Sequence, residues 1–257
     1  MYYYIFDIKK FKKSAQVENI KNYLSVLGIS GEFTYPTPAQ TVEELVDLGL
    51  SKQFSTIVAI GGDEIANAVA GKLIGRKEAM GIIPLEVSPA LTKLIGTEGW
   101  KEACDSLRFR KLSEIRLGRT ATGKSFLTSL HLQIKSPIEV TLEFKDYIVQ
   151  TKATSLSISN FDPNIKKIGD DFLDIQITSS DVNESAMSRF SSLFGIKKQG
   201  SSLSYSLLRA RSLRIFTKSQ LSLVSGSASI AKSPQLVEST DDYLRLITAK
   251  SASLPKE

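Results

Sequence analysis

The residues best suited to chemistry are two glycines and a carboxylate, Gly61, Gly62 and Asp63, directly after the apolar run 54–60. That run is rich in β-branched side chains, which predicts a strand buried on both faces of a parallel sheet. The glycines permit a tight turn, and Asp63 is a good N-cap for the helix predicted over 65–73. The N-terminus of such a helix offers free N–H groups to an anion, usually a phosphate. A purely structural turn would show the same spacing, so the motif alone leaves both interpretations open.

A second motif follows in residues 80–85, Met-Gly-Ile-Ile-Pro-Leu. Together the two motifs resemble the catalytic domain of the diacylglycerol kinase family of lipid kinases, which shares its fold with the sphingosine kinases and NAD kinases. In that family the helix after the glycine turn carries an Asn, and Asn67 stands in its place. The resemblance therefore implies nucleotide contacts from Gly61, Gly62, Asp63 and Asn67.

The departures from the family pattern are equally informative. The Gly and Thr that follow the family's Gly-Gly-Asp are Glu64 and Ile65 here, and its second glycine-rich run is replaced by Glu-Val-Ser-Pro-Ala over 86–90. Glu64 would place a carboxylate where a phosphate should lie, at a helix N-terminus with room for one anion. Ile65 cannot hydrogen-bond a phosphate, and the proline at position 89 has no N–H to donate. The sequence keeps the scaffold of a phosphate site but lacks most of its chemistry.

The catalytic acids of the family are also replaced. Between two strands of the second half the family carries Asp-Gly-Glu, one of whose acids is the base for the lipid hydroxyl, whereas this chain has Ser225-Gly226-Ser227. A serine has no useful basicity near neutral pH, and a general base must accept a proton. Phosphoryl transfer also depends on positioning and on a metal ion. We therefore assign no residue as catalytic.

Two acids in the second half suggest a metal site. The segment 169–175 resembles the Asp-Asp-Gly-x-Leu-Asp-Val run that helps to hold a structural magnesium in some bacterial members of the family, although the glycine of that run is missing here. The resemblance implies Asp170 and Asp171 as oxygen ligands for Mg²⁺ or Ca²⁺. The alternative is a pair of acids in a solvated approach to a strand.

Basic residues cluster in the same half of the chain. Arg209, Arg211 and Arg214, together with Lys197 and Lys198, suit a surface for an anionic lipid or a protein partner. The alternative is a solvated strand edge whose charges prevent aggregation.

Residues 1–108 alternate strand-like and helix-like runs. Helices are predicted over 14–27, after the capping box 41–44 and after Ser88-Pro89, where Ser88 is the N-cap and Pro89 the first helical residue. This rhythm predicts an α/β domain with a parallel sheet covered by helices.

From about residue 110 the apolar period changes to two, which predicts a β-sandwich over 109–240. One helix, near 181–195, interrupts it. The family resemblance implies that the last segment, 241–257, returns to the first domain. The predicted fold is therefore a diacylglycerol-kinase-like pair of domains, an α/β domain followed by a β-sandwich.

The chain has 257 residues, a formal net charge of +6, one cysteine and one histidine. A single cysteine excludes a disulfide framework and a cysteine-based zinc site, and we interpret both Cys104 and His131 as structural. The positive charge allows attraction to anionic surfaces, but no nucleic-acid-binding signature is visible, so nucleic acid is not an expected partner. No apolar run approaches the ~20 residues that cross a membrane, and no secretory leader is visible. We therefore expect a cytoplasmic protein that can lie at the membrane surface.

Three functions fit these observations. The first is a non-catalytic relative, a pseudokinase with a degenerate ATP site that binds a lipid or a protein partner, including another copy of itself. The second is a divergent but active lipid kinase, which would use ATP and Mg²⁺. The third is an NAD-kinase-like enzyme, which shares the Gly-Gly-Asp motif but shows no second matching motif.

Overall fold

The structure is a computed structural model of the chain and describes residues 1–7, 14–161, 171–179 and 204–249. Its first part alternates strands and helices, as the sequence predicts. The elements are β1 (Tyr2–Phe6), α1 (Ser14–Val26), β2 (Gly31–Thr34), α2 (Val42–Ser51), β3 (Thr56–Gly61), α3 (Asp63–Leu73), β4 (Ala79–Pro84), α4 (Pro89–Ile95), α5 (Trp100–Phe109) and β5 (Leu112–Ile115).

In the described residues, the second part of the chain contains strands and no helix. They are β6 (Gly118–Thr120), β7 (Ser125–Phe126), β8 (Ser129–Leu132), β9 (Ile138–Glu143), β10 (Ile148–Ser159), β11 (Leu173–Ser179), β12 (Ser204–Ala210), β13 (Ser212–Thr217), β14 (Ser222–Ser225), β15 (Ala228–Lys232), β16 (Gln235–Ser239) and β17 (Leu244–Ile247). The helix predicted near 181–195 lies outside the described residues.

The helix caps predicted from the sequence are present at the predicted residues. Thr41 and Glu44 form a reciprocal capping box at the start of α2, which satisfies two N–H groups that have no partner within the helix. Ser88 caps α4 by accepting a hydrogen bond from the N–H of Leu91, with Pro89 as the first helical residue. Gly96 ends α4 in the left-handed conformation, with φ at 74°.

The first sheet has six strands in the order β2-β1-β3-β4-β17-β5. Strands β1 to β4 and β17 are parallel, and β5 runs antiparallel to β17. One apolar core packs α2, α3 and α4 against one face of the sheet, and another packs α1 and α5 against the opposite face. Burial on both faces explains why β3 and β4 are continuously apolar.

The second sheet has eleven antiparallel strands around a single apolar core. It is one hydrogen-bonded sheet that curls on itself, so the two layers of the predicted sandwich are continuous. The predicted fold class, a parallel α/β domain followed by an antiparallel β domain, is confirmed.

Two strands near the predicted domain boundaries lie in the first sheet. β17 hydrogen-bonds between β4 and β5, within the segment 241–257 that was expected to return. β5 also lies in this sheet, although the sequence boundary assigned residues from 109 onward to the second domain. Its four residues alternate too briefly for the sequence to show which sheet they join.

None of the helices in the described ranges is long and apolar enough to cross a bilayer.

Candidate functional site

The glycine motif forms the turn between β3 and α3, at the carboxyl end of the parallel strands. Gly61 has a φ of 156°, and a Cβ on it would lie 2.6 Å from Cβ of Asp7 and 2.9 Å from Cγ2 of Ile65. Only glycine fits such a position. Gly62 is the N-cap of α3 and makes no side-chain capping bond. The prediction that Asp63 is the N-cap is therefore wrong, since Asp63 is the first helical residue and its carboxylate points to another element.

The carboxylate of Asp63 binds the residue that begins α4. Oδ2 accepts a hydrogen bond of 2.8 Å from the backbone N–H of Ser88, and Oδ1 accepts one of 2.7 Å from the Ser88 hydroxyl. Asp63 is 8% exposed. Both of its oxygens are thus engaged within the protein, and hydrogen bonds to a carboxylate are the stronger kind.

Asn67 is held in the same way, one turn further along α3. Its Nδ2 donates to Oγ of Ser225 at 3.0 Å, and its Oδ1 accepts from the N–H of Leu127 at 2.9 Å. Asn67 and Ser225 are both buried. The side chain that the family resemblance assigns to the nucleotide therefore joins α3 to two segments of the second sheet.

The Ser225-Gly226-Ser227 turn lies directly on Asp63. Gly226 has a φ of 59°, and a Cβ on it would lie 2.8 Å from Cβ of Asp63 and 3.1 Å from Cγ. Two motifs that are far apart in the sequence therefore meet at one place, between the first helix turn of α3 and the hairpin of β14 and β15. The hairpin brings serines to this contact where the family pattern has acids.

Glu86 lies beyond the end of β4, where the family pattern has glycine. It is exposed and has a φ of 55°. This left-handed conformation costs an L-residue about 1–2 kcal/mol. The backbone therefore retains a shape suited to glycine although the glycine is absent.

The two acids assigned to a metal have different outcomes. Asp170 lies outside the described residues. Oδ1 of Asp171 lies 2.8 Å from Nε of Arg116, and its Oδ2 lies 4.0 Å from Nη2 of Arg211. Two guanidinium groups beside the carboxylate repel a further cation. In the described ranges, no group of three or more histidine, cysteine or acidic side chains could hold a metal ion.

Sequence reasoning missed the role of Arg116. Its Nη1 donates to the carbonyls of Thr240 and Asp241 at 2.6 and 2.7 Å, and its Nη2 donates to the hydroxyl of Tyr243 at 2.9 Å. The guanidinium also stacks 4.4 Å from the centre of the Tyr243 ring. Arg116 thus ties the chain leaving β5 to the chain entering β17. No local sequence signal reveals a bond between residues so distant in the chain.

The predicted basic surface is largely neutralised by acids. Arg209 pairs with Asp174 at 2.9 Å, Arg211 with Asp241 at 2.6 Å, and Arg214 with Glu143 at 3.9 Å. The other two members, Lys197 and Lys198, lie outside the described residues.

Cys104 lies in the apolar core between α1, α5 and the first sheet, whereas His131 pairs across strands with Val224, next to the Ser225-Gly226-Ser227 turn. Burial raises the pKa of the Cys104 thiol to about 12, which keeps it protonated and unreactive. Desolvation lowers the pKa of His131, whose Nε2 lies 2.9 Å from Oγ of Ser129. Among the described residues, no acid makes a hydrogen bond to this imidazole. Ser129 and His131 therefore lack the third member of a nucleophilic triad.

Comparisons with known proteins concern the fold and the family of the chain. Residues 9–120 match the family model of the diacylglycerol kinase catalytic domain. A diacylglycerol kinase from Bacillus anthracis str. Sterne is similar to the chain with a TM-score of 0.74 and 16% identity, covering 98% of this chain and 97% of that one. A second structure from that strain, described as a putative diacylglycerol kinase, gives a TM-score of 0.77 at 14% identity, with the same coverage of both chains.

An NAD kinase from Archaeoglobus fulgidus, in complex with ATP, is more distant. It gives a TM-score of 0.57 at 12% identity, covering 98% of this chain and 95% of that one. No curated protein matches the sequence. The chain thus has the two-domain diacylglycerol-kinase-like fold, which extends to the NAD kinases, and its residues 9–120 match the catalytic domain of the diacylglycerol kinase family.

Proposed function

We propose that this protein is a non-catalytic relative of the diacylglycerol kinases, in which the former nucleotide cleft is closed by the protein's own side chains. The observation that carries the proposal is the pairing of Asp63 with Ser88. Both carboxylate oxygens accept hydrogen bonds from one residue, at 2.7 and 2.8 Å. A ligand that used Asp63 would have to break two charge-assisted hydrogen bonds at a buried position.

The neighbouring contacts support the same conclusion. Asn67 uses its amide nitrogen on Ser225 and its amide oxygen on Leu127. Gly226 lies so close to Asp63 that even a Cβ would not fit between them. The side chains that the family resemblance assigns to the nucleotide, Asp63 and Asn67, therefore do not fit a bound triphosphate, because their polar atoms already bind other groups of the protein.

The charges at this place also oppose an anion. Glu64 lies in the first turn of α3, where the helix dipole attracts a single negative charge. A phosphate at the same helix end would face both Glu64 and Asp63. Ser225 and Ser227 supply no group that could take a proton from a lipid hydroxyl.

One observation favours the alternative, a divergent lipid kinase. The glycine turn is intact, and Gly62 leaves the start of α3 without a side-chain cap. Uncapped N–H groups at a helix start are suited to a phosphate. A working enzyme would have to supply the missing base and metal contacts from residues that the family pattern does not contain.

Calorimetric titration of Mg-ATP into the purified chain separates these functions. We expect no heat of binding up to millimolar ATP, under conditions in which an active diacylglycerol kinase binds. The matched variant is Asp63→Ala, which removes the carboxylate. Micromolar binding that is lost in this variant would overturn the proposal, as would ATP-dependent phosphorylation of diacylglycerol in mixed micelles.

A further inference from the structure

The end of α5 carries an exposed cluster of aromatic and basic side chains. Phe109, the last residue of the helix, is 69% exposed, and Leu112, the first residue of β5, is 44% exposed. The side chains of Arg108, Arg110 and Lys111 are exposed around them. We call residues 108–112 the basic-aromatic turn.

The charges of this turn differ from those of the other basic residues. Within the described part of the chain, the side chains of Arg108, Arg110 and Lys111 make no ion pair or hydrogen bond. By contrast, Arg209, Arg211 and Arg214 each face an acid. The turn therefore concentrates three cations that the described acids leave uncompensated.

The backbone of the turn is fixed at both ends. The carbonyl of Leu107 accepts a hydrogen bond of 3.0 Å from the hydroxyl of Tyr2, and the carbonyl of Lys111 accepts one of 3.0 Å from the N–H of Thr248. Arg110 ends α5 in the left-handed conformation, with φ at 50°. A preformed surface loses less conformational freedom when it binds a partner.

We propose that the basic-aromatic turn docks onto an anionic lipid bilayer. An exposed Phe flanked by cations matches the two forces that act at a bilayer surface. Apolar side chains enter the boundary between headgroups and acyl chains, and Arg and Lys are attracted to anionic headgroups. The overall charge of +6 acts in the same direction. A Phe and a Leu that are both exposed within four residues suit a surface that can accept apolar groups, which distinguishes a bilayer from a purely charged partner.

This surface is independent of the cleft and of the function proposed for it. The turn is anchored to Tyr2, which pairs with Thr56 at the start of the parallel strands. The Gly61–Asp63 turn lies at the opposite end of β3, roughly 16 Å away along the strand at ~3.3 Å per residue. Loss of one activity would therefore not imply loss of the other.

Flotation with unilamellar vesicles tests the proposal on the full chain. We expect binding to vesicles of phosphatidylcholine with 30% phosphatidylserine, and little binding to phosphatidylcholine alone. Each cation near an anionic surface strengthens partitioning about fivefold, so removal of all three should weaken it about 100-fold. The test variant is Arg108→Gln, Arg110→Asn and Lys111→Gln combined, in which Asn tolerates the left-handed position.

A matched control removes three exposed positive charges from the second domain, by Lys152→Gln, Arg214→Gln and Lys218→Gln. We expect the vesicle binding of this control to weaken only a few-fold, because its charges lie outside the basic-aromatic turn. Circular dichroism and melting temperature confirm that both variants are folded. Phe109→Ser removes no charge and should still weaken partitioning about tenfold, as expected for loss of apolar burial.

Four results would overturn the proposal. They are absence of wild-type binding to the anionic vesicles, equal losses in the test and control variants, unchanged binding after Phe109→Ser, and preferential capture by an anionic polymer without lipid. The anionic polymer used as the probe is double-stranded DNA at a charge concentration equal to that of the vesicles. Preferential binding to this DNA would assign the turn to nucleic acid.

Discussion

Replacing Asn67 with alanine tests whether this side chain holds the cleft closed. The substitution removes two hydrogen bonds, from Nδ2 to Ser225 and from the N–H of Leu127 to Oδ1. Leu127 and Ser225 are each 1% exposed, so water cannot readily replace the lost partner. A buried polar group without a partner costs about 1–3 kcal/mol. With two such groups, we expect the free energy of unfolding to fall by about 3 kcal/mol.

Urea unfolding measures this loss, with Asn22→Ala as a matched control. Asn22 is exposed in α1, and the same substitution there should change the free energy of unfolding by less than about 0.5 kcal/mol. Ser225→Ala alone should cost about 1 kcal/mol, and the double variant should cost less than the sum of both because they share one hydrogen bond. Equal effects of Asn67→Ala and Asn22→Ala would refute the reasoning. Such a result would mean that Asn67 is available for a ligand.

Substitutions at three other positions have defined outcomes. Glu86→Gly should raise the free energy of unfolding by up to about 1 kcal/mol, since relief of the left-handed strain exceeds the extra entropy of glycine in the unfolded chain; a lower urea midpoint would show that the Glu86 side chain outweighs the strain. Arg116→Ala should cost about 3 kcal/mol because the carbonyls of Thr240 and Asp241 lose their charged donor and Asp171 keeps only Arg211, 4.0 Å away, and Arg116→Lys should recover only part of this loss in urea unfolding. Burial raises the pKa of Cys104 from 9.0 to about 12. Between these two values the folded state holds a proton that the unfolded chain releases. This contribution to the free energy of unfolding is therefore complete below pH 9 and is lost as the pH rises toward 12. Cys104→Ala should therefore show a shallower decline of the urea midpoint between pH 8.5 and 10.5 than the wild type, and identical declines would contradict this assignment.

The local features of the fold could be predicted from the sequence. The capping box at Thr41, the N-cap at Ser88 and the apolar runs of β3 and β4 depend on residues within a few positions of one another, so their patterns are complete in the sequence. The change from helical spacing to alternation likewise separates the two sheets, except for β5 and β17, which follow the change and lie in the first sheet. The family resemblance then supplies the arrangement of the two domains.

The partners of individual side chains could not be predicted. An acid at the start of a helix normally caps it, and the sequence shows no reason for Asp63 to bind Ser88 instead. The reason is tertiary, because β4 brings Ser88 beside the start of α3. The sequence likewise does not show that Arg116 lies 2.8 Å from Asp171, the acid that the family resemblance assigns to a metal.

The placement of β17 determines the order in which the protein can be assembled. β4 and β5 are joined in the first sheet only through β17, and residues 116–243, which include every strand of the second sheet, lie between β5 and β17 in the chain. During synthesis on the ribosome, one edge of β4 therefore waits without a neighbour until the second sheet has been made. Unpaired apolar strand edges are templates for aggregation, and pairings between distant segments slow folding. The first sheet therefore completes last, although most of it is synthesised first.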